Sequence, residues 1–200
     1  MGSLESLTEK IADRLFLELE ASGRHVHLTK EQAVQLFGHA LTPSRPLSQP
    51  GQFLSQERVT VIGPKGKFIN VAVLGPERKE GQVEISLTDC RHLGIRAPLR
   101  LSGDIEGTPG ILLEGPVSGL QLPKGVIVAK RHIHLTPEAA ARFGVQDRQV
   151  VRLRTFTERP CIFEDTVVRV SREFAPYVHL DFDEANACGW KPGDLGRILP

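Results

Sequence analysis

"KRHIHLTPEAAARFG", residues 130–144, repeats the pattern of "GRHVHLTKEQAVQLFG", residues 23–38. Both carry Arg-His-x-His-Leu-Thr followed by a short run with helical apolar spacing. A strand turns successive side chains to opposite faces, so His25 and His27 share a face, as do His132 and His134. Two imidazoles on one face begin a metal site. Thr29 and Thr136 can cap "KEQAVQLF" and "PEAAARF", with Pro137 at the first helical position, so each motif reads as strand, cap and helix.

The echo extends further along the chain. "VEISLTDCRHLGI" (83–95) overlays "VHLDFDEANACGW" (178–190) without a gap, which places Gly94 on Gly189 and Glu84 on His179. The histidine motifs are offset by 107 positions and these segments by 95, so loop lengths differ between the copies. "GIRAPLRL", "GVQDRQVVRL" and "GWKPGDLGRIL" each join a Gly-apolar opening to a strand. "RVTVIGPKGKFINVAVLG" (58–75) reads as a hairpin around Gly63–Gly66, and "VVRLRTFTERPCIFEDTVVRVS" (150–171) behaves likewise. Helical patterning elsewhere is confined to residues 3–21, where Leu4, Leu7, Ile11 and Leu15 share a face and Ser6 with Glu9 can form a capping box.

These signals predict a mainly β protein of two packed, pseudo-symmetric small β-barrels with short helices. The expected divisions are an N-terminal amphipathic helix (1–21), a first barrel repeat (22–110), a Gly- and Pro-rich connector (111–125) and a second repeat (126–200).

Composition narrows the partners. With 25 basic against 24 acidic residues, the chain lacks the positive field that grips a nucleic-acid backbone, so no nucleic acid is expected. Cys90, Cys161 and Cys188 are odd in number and have no CxxC spacing, which excludes a disulfide framework and a zinc ribbon. No apolar run approaches the ~20 residues of a membrane span, nor does the start have a signal-peptide layout. A cytosolic, soluble protein is expected.

A catalytic metal needs about three protein donors and an open position. Glu84 and His179 each interrupt an apolar strand and must find a partner there. They supply a third donor in each half: His25, His27, His132 and His134 with Glu84 and His179 make two three-donor sets. Either set suits zinc, and two histidines with a carboxylate also suit iron. Arg24 and Arg131, one position off the histidines, point to the other face and are expected in packing ion pairs. Arg78, six residues before Glu84, is the candidate oxyanion clamp, because a guanidinium matches phosphate with two parallel hydrogen bonds. His39 and His92 read as surface residues. "GPKGK" (63–67) lacks the P-loop spacing and reads as a turn. No GxSxG elbow or activated cysteine points to a covalent acyl-enzyme.

"RHVHLT", "RHIHLT", "GPERKEGQVEISLTDCRHLGI" and "VHLDFDEANACGW", in this order, resemble the PduL family of phosphate propanoyltransferases from about residue 22 to the end. The resemblance implies two barrels, two Zn²⁺ per chain, and interconversion of propanoyl-CoA or acetyl-CoA plus phosphate with acyl phosphate plus free coenzyme A. Carried over by motif, the metal ligands are His25, His27, Glu84, His132, His134 and His179, with Arg78 at the phosphate. The ligand sets are expected to be crossed, His132 and His134 with Glu84, and His25 and His27 with His179. The family also implies the bacterial cytoplasm, inside a microcompartment, with the N-terminal helix meeting the shell or other lumen enzymes. Family members separate such a helix from the core by a linker, whereas here it runs directly into "GRHVHL". An exposed apolar face on that helix would also favour a homo-oligomer. Two rival readings of the histidines are a mononuclear iron or zinc oxygenase or hydrolase on a β-barrel, and a non-catalytic zinc-containing binding module.

Overall fold

The computed structural model describes residues 15–199. Its contacts divide it into two compact units, Gly23–Lys130 and a unit that joins the residues up to Ser22 with those from Arg131 onward. The first strand, β1 (Leu17–Ser22), buries Leu17 and Leu19, with Glu18 exposed between them. That period of two overturns the helix expected over 3–21 for its last residues. The helical face at Leu4, Leu7 and Ile11 and the Ser6–Glu9 box lie outside the described residues.

The Gly23–Lys130 unit runs β2 (His25–His27), α1 (Lys30–Phe37), β3 (Pro43–Pro46), β4 (Phe53–Ile62), β5 (Lys67–Gly75), β6 (Gln82–Ile85), α2 (Leu87–Leu93), β7 (Leu99–Arg100), β8 (Ile111–Glu114), β9 (Gly119–Leu122) and β10 (Val126–Ala129). Its strands form one nine-stranded sheet in the order β7-β10-β6-β2-β5-β4-β8-β9, with β3 on β4. The supposed connector is therefore sheet: β8 and β9 form a hairpin whose first strand pairs with β4. Ile111 and Leu113 alternate inward there, so the period of two outweighs the surrounding Gly and Pro. Likewise β10, expected in the second repeat, pairs in parallel with β6.

The other unit continues from β1 with β11 (His132–Leu135), α3 (Pro137–Phe143), β12 (Val150–Phe156), β13 (Ile162–Val170), β14 (Tyr177–Asp181), α4 (Phe182–Cys188) and β15 (Leu195–Leu199). These strands close into a barrel in the order β1-β14-β11-β13-β12-β15. The mainly β class holds; one unit is a closed barrel and the other a half-barrel sheet. Both expected hairpins form, β4 with β5 and β12 with β13.

The repeats have matching strand partners. β2 lies parallel to β5 and antiparallel to β6, as β11 lies parallel to β13 and antiparallel to β14. One strand of each copy is exchanged: β1 runs parallel to β14, and β10 parallel to β6. The strand ahead of each His-x-His motif thus lies beside the third-donor strand of the other repeat.

Each helix is short and depends on its ends. Thr29 and Thr136 accept from the backbone amides of Gln32 and Ala139, as their positions predict, and Pro137 opens α3. Helices α2 and α4 escape the periodicity because seven residues bury only two or three side chains. Their signals are capping boxes, Ser86 with Asp89 and Asp181 with Glu184, and the left-handed glycines Gly94 and Gly189.

In the barrel, Leu19, Ile133, Leu135, Leu153, Val168 and Val178 are buried together. Gly196 lets Leu153 and Leu19 approach β15, since a Cβ there would meet Leu153 Cδ1 at 3.0 Å and Leu19 Cδ2 at 2.7 Å. Leu153→Ala opens a cavity in this close-packed interior and is expected to cost about 2–5 kcal/mol. A fall in the urea midpoint at unchanged slope will show it; an unchanged midpoint would mean that the core relaxes into the space.

Candidate metal centres

Strand alternation sends His25 and His27 to one face of β2 and Val26, fully buried, to the other. The antiparallel ladder with β6 then sets Glu84 directly opposite His25, and Gln82 opposite His27. His25, His27 and Glu84 are all buried, and their donor atoms lie within 4.8 Å of one another. In the barrel, the ladder of β11 with β14 sets His179 opposite His132, and His132, His134 and His179 form the second cluster under the same limit. The crossed arrangement is thereby overturned. Each third donor sits on the strand hydrogen-bonded to its own His-x-His strand, so ladder register assigns it within one unit.

The donor chemistry of the first cluster fits a divalent ion. His25 Nδ1 lies 2.8 Å from the Gly23 carbonyl oxygen, and His27 Nδ1 lies 3.3 Å from that of Leu74. A carbonyl only accepts, so both Nδ1 atoms carry the proton and donate. In the neutral ring the Nε2 lone pairs remain, 3.7 and 3.8 Å from Glu84 Oε1. An ion about 2.0–2.2 Å from each donor fits inside such a triangle.

Electrostatics point the same way. Burial, with His25 and Arg78 adding to it, pushes His27 well below the usual imidazole range and keeps it neutral. Burial also disfavours charge on His25, but the Glu84 carboxylate and the Gly23 carbonyl together raise it. Glu84, against its own burial, is held well below the carboxylate range by His25 and His27. Glu84 is thus an anion beside a lone pair on His27, which is a ligating state.

The second cluster is all imidazole. His132 stacks on His179 with ring centroids 5.0 Å apart, and His134 meets both edge-on at 4.6 and 4.8 Å. Phe174 stacks on His134 at 4.0 Å and walls that side. His179 Nδ1 lies 3.5 Å from Glu20 Oε2 on the neighbouring strand.

Arg24 and Arg131 make the packing ion pairs expected of the opposite face. Arg24 grips Asp89 with two bonds, 2.7 and 3.1 Å, and lies over the Phe68 ring. Arg131 donates to Glu184 and to the Glu164 carbonyl. Asp89 and Glu184 are the capping acids of α2 and α4, so each arginine ties a His-x-His strand to the helix that follows its third donor. His39 and His92 are exposed, as read.

Arg78 is half-buried and donates to Ser102 Oγ at 3.0 Å; its charge reaches both His25 and His27. Sequence reasoning passed over Gln82 and Ser102. Gln82 Nε2 donates to Glu84 Oε1 at 2.5 Å and to Ser102 Oγ at 3.0 Å, while its Oε1 accepts from the Gly103 amide. Two positions before Glu84 on one strand, Gln82 must share its face, and that spacing was the available signal. Ser102 comes from a Gly-rich loop and left none.

A mainly β protein with two three-donor clusters, one buried and one partly so, and a guanidinium beside the first is, by class, a candidate metalloenzyme for an anionic substrate. Comparison with known proteins gives the chemistry. The family model described as phosphate propanoyltransferase matches residues 18–191. The chain is 57% identical over 182 residues to the phosphate propanoyltransferase of Leptotrichia buccalis, covering 90% of this chain and 86% of that one. It is 51% identical to that of Enterococcus faecalis, over 100% and 98% of the two chains. To that of Salmonella typhimurium it is 44% identical, over 93% and 91%. The chain belongs to the phosphate propanoyltransferase family, and is an acyltransferase. No described helix is long and apolar enough to cross a membrane.

Proposed function

We propose that this chain is a two-zinc phosphate acyltransferase that interconverts propanoyl-CoA or acetyl-CoA plus phosphate with the acyl phosphate plus free coenzyme A. The observation that carries this reading is the pair of three-donor clusters in a chain of this family. His25, His27 and Glu84 would hold one ion, and His132, His134 and His179 the other. Zinc, when bound, supplies a Lewis acid for a carbonyl or phosphate oxygen and a soft partner for a thiolate.

The chain's own groups do the positioning. Arg78, steadied by Ser102, grips phosphate with two parallel N–H bonds and offsets its charge. A phosphate oxygen attacks the thioester carbonyl, the C–S bond breaks, and its electron pair leaves on sulfur. The proton of hydrogen phosphate then balances the departing coenzyme A thiolate as free thiol. No residue of the chain need become acylated.

In this reading the enzyme works in the bacterial cytoplasm within a microcompartment. Because Leu17–Ser22 are barrel strand, contact with a shell or lumen partner would fall to residues before Leu17.

The test is release of coenzyme A thiol from propanoyl-CoA and acetyl-CoA by zinc-loaded protein. Phosphate-dependent release from both is expected, with a preference within the roughly 10–200-fold that one methylene supplies. Absence of thiol release in the presence of phosphate would overturn the assignment.

A further inference from the structure

The exchanged strands differ at one position that faces the clusters. On β1, Glu20 pairs in register with His179. On β10, the matching residue, Ile127, pairs with Glu84. Both neighbours lie the same 107 positions apart as the His-x-His motifs, so they are equivalent sites in the two repeats. Where the third donor is a carboxylate, its cross-strand neighbour is apolar; where it is an imidazole, the neighbour is a carboxylate.

We propose that Glu20 is a positioning residue for the all-histidine cluster, holding His179 by its Nδ1–H and leaving Nε2 to the metal. This inference rests on the two-zinc reading. Glu20 Oε2 lies 3.5 Å from His179 Nδ1. A carboxylate behind a ligating histidine fixes the tautomer and ring orientation and raises the ring's basicity. His25 and His27 obtain the same service from the carbonyls of Gly23 and Leu74.

The two sites also match in charge. Each divalent ion then has one carboxylate in its own unit, Glu84 as a direct ligand in one and Glu20 behind the ligand in the other. β1 is well placed to hold Glu20 still: Leu19 N–H donates to the Asp194 carbonyl at 2.9 Å, and the Trp190 indole N–H donates to the Leu19 carbonyl at 2.8 Å. The residue that supports the second site is thus delivered by the strand preceding the first His-x-His motif.

The experiment is competition for Zn²⁺ between a chromophoric chelator and wild type, Glu20→Gln, Glu20→Asp and Ile127→Ala. Glu20→Gln should bind one of its two zinc ions about 10–100-fold more weakly, with the other unchanged. Glu20→Asp should recover part of the loss. Ile127→Ala should leave both affinities nearly unchanged, because Ile127 brings no charge to Glu84. Co²⁺ substitution gives a second readout, in which Glu20→Gln should alter the visible bands of one ion alone. Far-UV circular dichroism of the metal-free proteins checks that the fold is retained. Two ions bound by Glu20→Gln at wild-type affinity would overturn this role and leave the zinc reading standing. Failure of wild type itself to bind two ions would overturn both.

Discussion

Glu84→Ala will lower the zinc content from about two ions per chain to about one and turnover by at least ~10³-fold, since metal polarisation is worth several kcal/mol. The carboxylate is buried against both His25 and His27, so its loss leaves two imidazoles without an anionic third donor. His179→Ala should remove the other ion and preserve this one. The combined His25→Ala, Glu84→Ala protein separates the two possible groupings. With donors grouped inside each unit, as the β2–β6 and β11–β14 ladders place them, it keeps one zinc. With crossed sets it would keep none. Elemental analysis after exhaustive dialysis reads the result, and one iron per intact chain would favour a mononuclear oxygenase instead.

Arg78→Ala should cut kcat/KM for phosphate by about 10²–10⁴, given two charge-assisted hydrogen bonds of roughly 1.5–3 kcal/mol each. Zinc content should stay at the wild-type value, because Arg78 bonds to Ser102 and is not in the donor cluster. Arg78→Lys should restore charge and only part of the rate, since an ammonium lacks the flat two-pronged face. Steady-state kinetics with phosphate varied at saturating acyl-CoA decides it. An Arg78→Ala enzyme with unchanged KM and kcat for phosphate would remove this residue from the anion site.

The donors were legible because a strand's period of two makes His-x-His a statement about geometry. Glu84 and His179 were legible because a polar residue inside an apolar strand demands a partner. Their grouping was not, since it depends on which strands share a ladder, and ladders join residues dozens of positions apart. Residues 17–20 show a different failure. Leu4, Leu7, Ile11 and Leu15 carry a helical spacing straight into Leu17 and Leu19, where the alternation with Glu18 and Glu20 begins. Only the barrel, by pairing Glu20 with His179, decides between the two periods there. The hairpin in 111–122 was obscured by the turn residues around it, although Ile111 and Leu113 alternate. Gln82 could have been found from its spacing to Glu84; Ser102 could not, because loop geometry brings it in.

The exchange of β1 into the barrel also constrains how the molecule is made. During synthesis β1 emerges ahead of the whole Gly23–Lys130 unit, yet its neighbours β14 and β15 emerge only after that unit. The Gly23–Lys130 sheet can assemble while β1 waits, and the barrel seam, Leu17 against Gly196 and Glu18 against Leu195, zips only after β15 has emerged. A nascent chain halted before β14 therefore contains every donor of the first cluster and carries an orphan strand with nowhere to dock.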